Sequence, residues 1–180
     1  MKVIKAIDKG LYQGERIFTI ATFVAMMFIM FLQVFFRYII KANLAWSEES
    51  MRYLFVVTSF FGAACATYER KHVVIDFLGV VVEKFFKNEN HREAIYSGTG
   101  CLVNVVSTVF FIYIGTVMFR YAAELQSKNH TSSVMMMPLW WVGYAVSLAL
   151  FLCAFHNLLG LFESAEVFVK DMKVMKGGGK

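Results

Sequence analysis

One proline and three cysteines are all that 180 residues contain of either, and charged residues fill only 17% of positions. Each scarcity removes a class of protein. Cys65, Cys101 and Cys153 are odd in number and lie inside apolar runs, which leaves no disulfide framework and no cysteine-based metal motif. They read as small buried hydrophobes. Four stretches, Ile17–Phe36, Tyr53–Tyr68, Ala94–Phe119 and Val134–Phe162, hold no Asp, Glu, Lys or Arg, and His156 is the only histidine in them. A path for an ion or charged solute normally needs ionisable groups inside the bilayer, so spans this empty offer little to grip an anion. Neither half repeats the other, and no span carries the paired Gly or Pro interruptions of broken transporter helices. Haem ligation needs two facing histidines, but His72, His91 and His130 lie outside the runs and leave His156 without that partner. No Ser, His and Asp set and no carboxylate pair falls close enough for hydrolysis. The expectation is no enzyme, no cofactor and no metal.

What fills the chain instead is hydrocarbon. Hydrophobic residues make up 58% of it, and the mean hydropathy of +0.57 fits no ordinary soluble domain. A helix rises about 1.5 Å per residue and a bilayer core is about 30 Å thick, so each run predicts a membrane-crossing helix. The expected fold is an all-α integral membrane protein, one membrane domain over 1–180 with spans near 17–36, 47–68, 94–119 and 138–162. The second span reaches full length if its helix starts near Ser47, with Glu48, Glu49 and Arg52 as a polar first turn. The first run ends in Val34, Phe35, Phe36 and Arg37 rather than in small residues, so it is expected to be retained and not cleaved.

Topology follows from the lysines and arginines. The N-terminal segment, the 69–93 segment and the C-terminal tail carry thirteen of them, and the 37–52 and 120–133 segments carry five. The positive-inside rule then places both termini and the middle loop in the cytoplasm. The net charge of +5 reflects this asymmetry and an anionic inner leaflet, not nucleic acid. Within 69–93, Val73, Val74, Phe77, Leu78, Val81, Val82, Phe85 and Phe86 recur in pairs every four residues. That spacing predicts an amphipathic helix over 72–87 lying in the membrane surface, in contact with lipid.

Polar residues inside the runs, Gln33, Thr58, Ser59, Asn104, Ser107, Thr108 and Ser147, are the kinds that hydrogen-bond across helix contacts. Gly62, Ala63, Ala66, Ser97, Gly98 and Gly100 permit close approach. Pro138 stands where the last helix is expected to begin and suits its first turn, just ahead of Trp140 and Trp141 at the outer interface.

The densest signal is Asn43, Ala45, Trp46, Ser47, Glu48, Glu49, Arg52 and Tyr53: an interfacial tryptophan, then two acids where a helix dipole favours negative charge. Arg52 lies within reach of Glu48 and Glu49 on one helical face. After the span come Gly62, Ala63, Arg70, Lys71, His72, Val73, Ile75 and Asp76. This order, with Ser133 to Trp140 including Met137 and Pro138, resembles the small membrane subunit of TRAP transporters, the DctQ-like family. The resemblance covers nearly the whole chain. A proline that many members carry further into the last helix is missing between Gly143 and Leu148.

The resemblance implies a bacterial inner-membrane protein in a sodium-coupled system that imports an organic acid, of the sialic acid or C4-dicarboxylate class. A soluble periplasmic substrate-binding protein delivers the solute, a large membrane subunit holds the solute and sodium sites, and the small subunit acts as a scaffold. On that reading Trp46, Glu48, Glu49, Arg52, Trp140 and Trp141 anchor helices or meet the large subunit. His72 and Asp76 orient the cytoplasmic surface helix, and Arg37, Lys41, Lys128 and His130 are candidates for meeting the binding protein. Composition and topology also allow a four-helix adaptor or assembly factor with no transport role, a reading that the motif order disfavours.

Overall fold

The computed structural model describes the backbone of residues 2–69 and 89–177. Four helices account for most of it: α1 over Lys2–Phe35, α2 over Ala45–Tyr68, α3 over Glu89–Ser127 and α4 over Trp140–Gly177. The amphipathic helix expected over 72–87, with His72 and Asp76, lies outside the described residues.

The helices extend beyond the uncharged runs, because charge ends a hydrocarbon span without ending a helix. Lys, Glu and Arg are good helix formers, and α1 contains no proline to stop it. Its end is made by the backbone. Phe36–Ile40 form a π-helical turn, and Lys41 follows in the left-handed region at φ 58°. The Ala42 N–H then donates to the Phe36 carbonyl at 3.1 Å. In α2, Glu48 sits in the first turn, and Ser47 Oγ donates to the Leu44 carbonyl at 2.7 Å.

Three stretches, Ala6–Ile40, Gly98–Ser127 and Trp140–Phe162, are long and apolar enough to cross a membrane. The chain is therefore a multi-pass membrane protein. With 24 residues, α2 is about 36 Å long, but with Glu48, Glu49 and Arg52 near its start it is not among these three stretches.

Pro138 departs from expectation. The last helix begins at Trp140, and Pro138 pairs with Thr131 across an isolated bridge in the preceding loop. The Ser132 N–H donates to Met137 O at 2.9 Å and the Leu139 N–H to His130 O at 3.0 Å. These bonds fall on the neighbours of Pro138, so its missing N–H costs the loop nothing.

The helices pack in the order α1, α2, α4, α3. In the most apolar window of each stretch, half of the α4 residues are buried, against 11% for α3 and none for α1. The core accordingly centres on α4, through Val146, Ala149, Leu150, Cys153 and Ala154, with Phe61 and Ala64 from α2 and Ala122 from α3. Among the described glycines the closest approach is at Gly143, where an added Cβ would stand 2.8 Å from that of Ala122. None of the small residues singled out in the sequence makes that contact. Gly62, for example, meets only Thr19, at 3.9 Å.

Cross-helix hydrogen bonds form at several of the expected polar positions. Thr58 donates to Thr22 at 2.9 Å, Gln33 to Glu48 at 3.1 Å, Asn104 to Ser164 at 3.1 Å and Ser147 to the Gly115 carbonyl at 3.0 Å. Ser59 and Thr108 instead bond within their own helices.

Candidate functional site

At the end of the layer that carries the 128–139 loop, the N-terminal part of α2 meets that loop through Glu49. One carboxylate oxygen accepts the Ser133 N–H at 3.1 Å. The other accepts those of Val134 at 3.1 Å and Met135 at 2.8 Å. The Tyr53 hydroxyl adds a further bond at 3.0 Å. Three successive amides can converge on one acid because the loop is curled by its bridge and by Met136 in the left-handed region at φ 53°. Ser132 Oγ, buried beneath, accepts the Met137 N–H at 3.2 Å. Glu49 thus ties α2 to the entrance of α4, with charge-assisted bonds from a helix start.

The other expected residues lie around this tie. Arg37, Lys41 and Arg52 are exposed, and among the described residues none of them forms an ion pair with Glu48 or Glu49. Lys128 pairs with Glu124 one turn back on α3, and His130 is exposed at the loop start. Trp140 and Trp141 stack with ring centroids 5.0 Å apart, and Trp46 and Trp141 are exposed. Beneath the loop, a groove of about 490 Å³ opens between α1, α2 and α4. Phe18, Ile29, Leu54, Val57, Met137 and Trp141 line it together with small and aromatic neighbours, and no charged side chain does so. Such a groove suits hydrocarbon or an apolar side chain and gives an anion no counter-charge.

The opposite end of the layer, where α1 begins, holds a constellation that the charge-free runs conceal. His156, buried on α4, places Nδ1 2.6 Å from Asp8 Oδ1 and Nε2 3.0 Å from Glu15 Oε1. Glu15 is itself buried. Tyr12, between the two acids on α1, stacks on Tyr68 of α2 at 4.1 Å and donates to Glu69. The Tyr68 ring stands edge-on to His156 at 5.4 Å. Asp8, Tyr12 and Glu15 fall on one helical face, and Thr19 and Thr22 continue it towards α2. The sequence did carry this signal: a polar stripe spaced four, three, four and three residues apart. Asp8 and Glu15 precede the run Ile17–Phe36, so the charge content of the runs alone does not reveal them.

Neither end assembles a nucleophile with a base, and among the described residues no cluster of His, Cys, Asp and Glu could hold a metal ion. Residues 26–166 match the family described as tripartite ATP-independent periplasmic transporters, DctQ component. The chain belongs to this family. It is therefore the small membrane subunit of a TRAP transporter, a transport component and not an enzyme. No curated protein matches it.

Proposed function

We propose that this DctQ-family subunit braces a large multi-span membrane subunit in a sodium-coupled, binding-protein-dependent importer of an organic acid. Both termini lie in the cytoplasm on this reading, and α2 is the fourth span of a bacterial inner-membrane protein. The observation that carries it is the open helix order: α1 packs along α2 on one side, yet its most apolar window contributes no fully buried residue. A subunit that conducted solute alone would enclose a polar path. This one presents hydrocarbon-like faces and an uncharged groove.

Family membership supplies the rest of the reading. The large partner holds the solute and sodium sites, and a periplasmic substrate-binding protein meets the outer loops, with Arg37, Lys41, Lys128 and His130 as its contacts. Sialic acid is the preferred solute within a class that includes C4-dicarboxylates. The test is reconstitution into liposomes under an inward sodium gradient. Uptake of sialic acid is expected only when this chain, the large subunit and the binding protein are all present. Sodium-driven uptake by this chain alone would overturn the assignment.

A further inference from the structure

The Asp8–Glu15–His156 constellation has no part in the scaffold reading, and its hydrogen-bond count is informative. A neutral imidazole carries one N–H, whereas both ring nitrogens here stand at hydrogen-bond distance from carboxylate oxygens. With both acids ionised and the ring neutral, one contact would set lone pair against lone pair. Adding a single proton removes that conflict, whether it is drawn on the ring or on a carboxyl. The His156 side chain has no exposure, and those of Glu15 and Asp8 have 4% and 17%, so water does little to relieve the conflict.

Among the described residues, no lysine or arginine pairs with either acid. From α1, Lys9 and Arg16 are exposed, and the Tyr12 phenol donates to Glu69. From α2 come the Tyr68 ring, Cys65 and Glu69, and from α4 itself Cys153, one turn before the histidine. Between Gly98 and Phe119, α3 contains no acid, lysine, arginine or histidine.

We propose that Asp8, Glu15 and His156 form a proton-binding site whose loaded state holds the start of α1 against α4. Loaded, the three groups share one proton beyond neutral imidazole and two carboxylates, and they carry a net charge of −1. Unloaded, they carry −2 in a buried place, and the first turns of α1 separate from α4. The bound proton belongs to the folded arrangement, so the clamp is fully present at low pH and is lost as pH rises through the site's own titration.

The test uses the full chain in lipid nanodiscs with ¹⁵N-labelled histidine, titrated between about pH 5 and 9. His156→Gln assigns the signal by difference. At the acidic end, both His156 ring nitrogens are expected to bear protons. Asp8→Asn and Glu15→Gln should each lower the titration midpoint by about one unit, a tenfold weakening of proton binding. Amide exchange over residues 6–16, corrected for its intrinsic pH dependence, should accelerate over the wild-type titration range and run fast at every pH in His156→Gln. The wild-type titration needs no variant to fold. A ring that keeps a single N–H throughout while both acids are ionised would overturn the proposal. So would a midpoint that ignores both acid substitutions, or α1 exchange that does not follow the titration.

Discussion

Two contacts in this structure show how differently single residues act in a membrane-spanning layer. Ser147 is buried and donates to the Gly115 carbonyl, yet hydrogen bonds between membrane helices average only about 0.6 kcal/mol, because the separated helices find other partners. Ser147→Ala should therefore cost well under about 1 kcal/mol. Gly143→Ala is the harsher change, since its Cβ meets Ala122 Cβ at 2.8 Å and the Ala122 backbone at 3.2 Å. Two long helices must then move apart, and overpacking of this kind costs about 1–3 kcal/mol. Thermal unfolding of the two variants in one detergent should rank Gly143→Ala as clearly the less stable; equal midpoints would mean that the helices slide apart freely. Glu49 makes a third residue-scale prediction. Glu49→Gln keeps the shape but exchanges a charged acceptor for a neutral amide, so the amides of Ser133, Val134 and Met135 should exchange faster while those of the α4 core do not change. Uniform exchange across loop and core would show that the tie is not local.

At the scale of elements, an apolar run measures how much hydrocarbon a segment tolerates, and it does not mark where a helix starts or stops. This is why the helices were legible in the sequence and their limits were not. Lys5, Lys9, Glu15 and Arg16 end the first run but continue α1, whose real end is a backbone event at Phe36–Lys41 that leaves no side-chain signature. Pro138 looked like a helix start because proline suits that position, but the loop's bridge decides its place. The Glu49 tie was half legible: two acids near a helix start, with Arg52 within reach, are plain in the sequence. Backbone amides presented by a curled loop cannot be read from residue identity. The same reasoning leaves α2 to be tested, because its polar first turn lowers its average while Tyr53–Tyr68 remains free of charge. Single cysteines at Phe55 and Ser59, both exposed, should resist water-soluble maleimide in intact membranes if α2 crosses the bilayer, whereas one at Lys41 should react. Ready labelling of all three would place α2 outside the hydrocarbon.

For the whole molecule, the deciding fact is how unevenly burial is distributed. On α1 the polar stripe from Asp8 through Thr22 to Gln33 faces its neighbours, and the exposed side carries Ile17, Val24, Phe28 and Phe31. That inversion is at home in lipid or against another protein, and in water it would drive association. In detergent the chain alone should hold α1 weakly, since α1 adds no buried apolar stretch to the core. Binding that favours the folded state raises apparent stability in proportion to the logarithm of partner concentration over Kd, so the large subunit should raise the unfolding temperature of this one. A partner present at about a hundred times its Kd adds about 2.7 kcal/mol, which over a chain of this size is a shift of several degrees. The comparison is between the purified chain and the co-purified complex in the same detergent, followed by a tag on this subunit alone. An adaptor that never docks on the large subunit would show the same midpoint in both samples, and the brace would have to be abandoned.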